Sequence, residues 1–89
     1  MSKQIVMYVK SYCPFCTAAA KLLRGKGVEW TQIDIGAEPA RRDEMIERSG
    51  QRTVPQIFIG DEHVGGFDDL DALEQEGALD RMLVGHAAS

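Results

Sequence analysis

Two cysteines separated by two residues, Cys13-Pro14-Phe15-Cys16, set the strongest limit on how this chain can fold. They are its only cysteines, so they are not a remnant of a larger disulfide framework. The pair follows Ile5-Val6-Met7-Tyr8-Val9, a short run rich in β-branched and aromatic residues that reads as a buried strand. Pro14 suits the first turn of a helix, where its missing N–H costs nothing. Thr17 to Leu23 supplies strong helix formers, with Ala19, Leu22 and Leu23 on one face, and Gly25 and Gly27 end the run. A Cys-x-x-Cys at a strand-to-helix junction can close a small disulfide and reopen it. The free N–H groups of the helix start favour a thiolate on the first sulfur. The pattern points to redox chemistry, not to stapling.

The remaining segments alternate. Val28 to Ile35 reads as a second strand with apolar members Val28, Trp30, Ile33 and Ile35, and its phase slip between Trp30 and Ile33 predicts a bulge. Pro39 opens a second helix that ends at Gly50, with charged residues around a narrow stripe at Met45-Ile46. Gln56-Ile57-Phe58-Ile59 is a third strand, and Gly60-Asp61 turns it into a fourth at Glu62-His63-Val64. Gly65-Gly66 ends that arm. Phe67 begins a third helix with acids in its first turn, as the macrodipole favours. Gly77 interrupts it, a short helical segment follows at 78–83, and residues 85–89 are expected to fray. The order β-α-β-α-β-β-α implies an α/β fold. Strands one and two should be parallel, and the closing hairpin should complete a four-stranded mixed sheet flanked by helices.

Eighty-nine residues make one domain, 1–89. A net charge of −4 disfavours non-specific nucleic-acid binding. No apolar run approaches the ~18 residues of a membrane span. No secretory core precedes the first strand, and with a dithiol of this kind the expected setting is the reducing cytoplasm. Zinc would need about four ligands. Only His63 and His86 could join the cysteines, at unsuitable spacing, and both read as surface residues, so no metal is expected.

Cys-Pro-Phe-Cys after strand one, Thr53-Val54-Pro55 before strand three and Gly65-Gly66-Phe67-Asp68-Asp69 before helix three occur in the right order and spacing. Together they resemble a dithiol glutaredoxin of the small bacterial type over essentially the whole chain. The resemblance implies a thioredoxin-like fold and a glutathione-dependent thiol–disulfide oxidoreductase that acts on protein disulfides and glutathione mixed disulfides. Cys13 would attack, aided by the helix start and the nearby Lys10, and Cys16 would resolve. No bound cofactor is implied, since glutathione is a cosubstrate. Partners would be glutathionylated or disulfide-containing proteins, ribonucleotide reductase among them, met by a monomer without nucleic acid or membrane.

The same resemblance implies a glutathione groove. Lys10 and Arg42 would face the glycine carboxylate, and Thr53 and Val54 would offer backbone groups to the cysteinyl portion. The N–H groups of Phe67 and Asp68 would take the γ-glutamyl carboxylate, with the Asp68 side chain on the ammonium. Tyr12 and Phe15 complete the implied set. Three of these residues also have a plainer reading: Arg42 as a solvated helix charge, Asp68 as a helix cap, Tyr12 as a cover for the core edge. Pro55 read by physics alone is a trans proline at a strand start, whereas the resemblance implies a cis bond. Phe15 stands where the commonest form has Tyr, and Phe67 where many members have Cys or a small polar residue. Two alternatives accompany this reading: a hydrogen donor reduced by thioredoxin reductase, and a non-enzymatic iron–sulfur carrier, which Pro14 disfavours.

Overall fold

Strand β1 (Ile5–Val9) is buried almost throughout in the computed structural model, which describes residues 4–87. Its alternation feeds two cores at once. Ile5, Met7 and Val9 pack with Ala19 and Leu23 of α1 (Pro14–Gly25), Leu70 of α3 (Phe67–Gln75), and Leu79 and Leu83 of α4 (Ala78–Ala87). Tyr8 points the other way, toward Ile33, Phe58 and Met45 of α2 (Pro39–Ser49). Each fully buried aliphatic side chain contributes roughly 1.5–3 kcal/mol, so the central strand is fixed from both sides.

The sheet order is β2-β1-β3-β4, with β2 at Thr31–Asp34, β3 at Gln56–Ile59 and β4 at Glu62–Gly65. β1 and β2 are parallel, and β1–β3 and β3–β4 are antiparallel. This is the expected four-stranded mixed sheet. Its central position puts the C-terminal end of β1, and therefore Cys13, beside the start of β3. Among the described residues, no helix is long and apolar enough to cross a membrane.

Two expectations about the second strand are corrected. β2 begins at Thr31, not Val28, and its pairing with β1 runs without a bulge from Val6↔Thr31 to Val9↔Asp34. The phase slip is absorbed before the strand starts: Val28 is buried from a loop, and the Trp30 ring lies 5.7 Å from the Arg24 guanidinium. The irregular register falls instead between Ile57 and Phe58 of β3. As expected, the last helical stretch is broken at Gly77, whose φ of +78° suits glycine, and a further helix follows. Lys26 reaches Glu74 and, at 2.8 Å, Asp80, tying the end of α1 to both. α4 runs from Ala78 through Ala87, longer than the segment expected at 78–83. Leu79 and Leu83 anchor that helix in the core. Residues 88–89 and the expected surface placement of the His86 side chain lie outside the described residues.

The charges of α2 are less solvated than the sequence suggests. The Tyr8 hydroxyl donates to the Glu44 carboxylate and accepts from Arg48 at 2.8 Å. The Arg48 guanidinium lies 4.2 Å from the Phe58 ring centroid. Burial pushes the Tyr8 phenol up, while its hydrogen bond holds the Glu44 carboxyl below the ordinary value. These contacts fasten α2 to β1 and β3.

Candidate active site

Tyr12 turns the chain from β1 into α1 through a left-handed backbone with φ of 58°, leaving its ring fully exposed. The next residue, Cys13, is the N-cap of α1, and its Sγ accepts the Cys16 backbone N–H at 3.3 Å. A sulfur in that position does what a serine or aspartate oxygen does at other helix starts. Cys16 lies one turn inside and is only 6% exposed. Burial pushes its thiol up to about 12, reinforced by its hydrogen bond to Cys13 and opposed by one from the Lys10 backbone. Both cysteines are free thiols, and they are chemically unequal. In a Cys13→Ser variant, ultraviolet thiolate absorbance should therefore develop only above about pH 10, because desolvation of Cys16 survives the substitution. A titration complete below pH 9 would contradict that burial.

Across from Cys13 lies the loop before β3. The Cys13 thiol donates to the Val54 carbonyl at 3.9 Å, the Val54–Pro55 bond is cis, and Pro55 is buried. A groove of about 510 Å³ runs from here to the start of α3. Of the expected residues, Phe15, Thr53, Val54, Pro55, Phe67 and Asp68 line it. The Phe15 and Phe67 rings lie 6.4 Å apart and form one aromatic lip.

The far end of the groove is a helix start without a side-chain cap. Gly66 is the N-cap of α3, and the Asp69 carboxylate reaches back to accept its N–H at 3.0 Å. The first-turn N–H groups that follow are left for another acceptor. Gly65 makes this possible. Its φ is +114°, and a Cβ there would lie 2.3 Å from the Asp69 carboxylate. Gly65→Ala should cost about 2 kcal/mol or more and break the Asp69 bond, read as a lower Tm.

Lys10, Tyr12 and Arg42 do not line the groove. Lys10 is exposed beyond β1 and borders a separate hollow with Cys16, Arg24 and Gln32. Arg42 is exposed on α2.

The chain matches the glutaredoxin family model over residues 5–64. It is 49% identical over 79 residues to Glutaredoxin 3 of Escherichia coli K12, covering 89% of this chain and 95% of that protein. It belongs to the glutaredoxin family. A glutaredoxin of Neisseria meningitidis serogroup A is 51% identical over 80 residues, covering 89% of this chain and 94% of its own length. Among solved structures, a buckwheat glutaredoxin–glutathione complex superposes with a TM-score of 0.87 at 32% identity, covering 97% of this chain and 81% of that one. The solution structure of a Brucella melitensis glutaredoxin gives 0.81 at 52% identity, over 92% and 89% of the two chains. The protein is thus a thiol–disulfide oxidoreductase with a thioredoxin-like fold.

Within this glutaredoxin, the sequence reading missed two groove residues that bond each other. His63 reads as a hairpin surface residue and is indeed exposed, yet its ring nitrogen lies 2.7 Å from the Gln56 carboxamide. The signal was Gln56 itself, a polar side chain at the head of the apolar strand Ile57-Phe58-Ile59. Gln51 and Asp69 also line the groove without having been singled out for it.

Proposed function

We propose that this glutaredoxin draws electrons from glutathione to reduce glutathionylated proteins and protein disulfides, with Cys13 attacking and Cys16 resolving. The observation that carries the reading is the position of the Cys13 sulfur. It caps the open start of α1 while facing the Val54 carbonyl at 3.9 Å, at the mouth of a groove that ends on the uncapped start of α3. Glutathione is a short peptide with a carboxylate at each end, and the groove offers backbone at its middle and free helix N–H groups at its far end. The buckwheat relative, of the same fold, is a glutathione complex.

In the reaction, the Cys13 thiolate attacks the glutathionyl sulfur of the mixed disulfide. The S–S bond breaks, and the substrate leaves as a thiolate that takes a proton. A second glutathione thiolate then attacks the glutathionyl sulfur on Cys13, freeing Cys13 and forming oxidised glutathione. Thr53 and Val54 hold the cysteinyl portion, Pro55 shapes their turn, Phe15 borders the groove, and Tyr12 stands exposed next to Cys13. Phe67 and Asp68 receive the γ-glutamyl end, while Lys10 and Arg42 supply distant positive charge to the glycine carboxylate. The protein would act as a cytoplasmic monomer without a resident cofactor, on disulfide-bearing enzymes such as ribonucleotide reductase.

The test is NADPH consumption coupled through glutathione reductase, with a glutathionylated peptide as substrate. Turnover that needs glutathione supports the reading. Equal turnover with thioredoxin reductase in place of glutathione and its reductase would replace it.

A further inference from the structure

Gln56 is 2% exposed, the one polar side chain among the buried residues described. A buried amide is costly unless its groups are paired, and here all three are engaged. Its Nε2 donates to the Thr53 carbonyl at 3.0 Å and the Thr53 hydroxyl at 3.2 Å, and its Oε1 faces His63 Nε2 at 2.7 Å. The Thr53 carbonyl can only accept, so the amide nitrogen must face it. The oxygen then faces His63, whose Nε2 therefore carries a proton. His63 is itself steadied by stacking on Phe58, with ring centroids 4.9 Å apart.

We propose that Gln56, anchored by His63, is a positioning residue that fixes the Thr53–Val54 wall of the groove and so sets the affinity for glutathione-containing substrates. The proposal rests on the glutathione reading above. An aliphatic side chain would fill the same space in β3, so burial alone does not call for an amide. Thr53 and His63 are both exposed, and without Gln56 their polar groups could turn to water. The amide is thus dispensable for stability. What only it supplies is a fixed link from the β4 hairpin to the residue before Val54, whose carbonyl lies beside the Cys13 sulfur.

Gln56→Met, His63→Phe and His63→Gln are compared with wild type. The readouts are kcat and KM on a glutathionylated peptide, and the rate at which iodoacetamide alkylates Cys13. Gln56→Met should raise KM roughly tenfold while kcat stays within about twofold. His63→Phe keeps the stacking but loses the donor, and should move KM the same way. His63→Gln restores an N–H donor and should recover much of that loss. Alkylation needs no groove and should keep its rate throughout. An unchanged KM in Gln56→Met, or alkylation falling in step with turnover, overturns the proposal. If Gln56→Met does not fold, the two His63 variants decide by the same criteria. Failure of the glutathione reading shows separately, as a wild type that cannot turn over the peptide. In that case the Thr53 carbonyl and Val54 amide resonances still report on Gln56: movement in Gln56→Met supports its hold on the wall, and unmoved resonances refute it.

Discussion

Replacing Cys13 with serine is expected to lower glutathione-linked turnover to background, a loss of more than about a thousandfold. The substitution is unusually clean. Cys13 is the N-cap of α1 and its sulfur accepts the Cys16 N–H, a bond that a serine hydroxyl makes at least as well. The helix start, the groove and the Tm should therefore be kept. What disappears is the sulfur proposed to form the mixed disulfide, and oxygen cannot replace it because no S–O counterpart exchanges with thiols under these conditions. The measurement is the coupled assay beside a thermal melt. Turnover within tenfold of wild type, in a folded variant, would remove Cys13 from its role.

How much of this was readable depends on the distance over which each feature is decided. The Cys-x-x-Cys, Pro14 at the helix start and Gly50 at φ of +72° are local, and the chain shows them directly. The order of elements follows from periodicity, and the sheet order from handedness and hairpin rules. Periodicity failed at β2 because Val28 and Trp30 are covered from a loop, and burial there mimics a strand. The bonds of Tyr8 to Glu44 and Arg48 join residues 36 and 40 apart, and charge patterning on α2 alone suggested only solvation. The groove was legible where backbone motifs build it, at Thr53-Val54-Pro55 and Gly66-Phe67-Asp68. It was least legible where side chains decide: Lys10 and Arg42 lie off its lining, and Gln56 with His63 lies on it. A cation's reach depends on rotamers and helix placement, which no spacing encodes.

Cys16→Ser should divide the two activities. Deglutathionylation should stay within a few-fold of wild type, because glutathione itself attacks the mixed disulfide on Cys13. Reduction of a protein disulfide should fall by a hundredfold or more, on the order expected when an intramolecular thiol is lost to a bimolecular one. The high value of the Cys16 thiol, about 12, bears on how this works. Desolvation, its largest cause, disfavours the Cys16 thiolate, which on the proposed mechanism leaves the first attack to Cys13. Its bond to the Cys13 thiol and the repulsion from Cys13 raise it further, and both vanish once Cys13 is tied into a mixed disulfide. The Lys10 backbone bond, which favours the thiolate, remains. Engagement of Cys13 thus lowers the barrier to deprotonating Cys16 at the moment resolution is needed. The sign follows. Cys16 is still mostly protonated at neutral pH, so single-turnover resolution should rise by about tenfold per pH unit between pH 7 and 9, limited by thiolate fraction. Rapid-quench measurement of the mixed disulfide formed with a protein substrate checks this. A resolution rate flat across that range would mean that Cys16 is already ionised there, and burial would not be governing its chemistry.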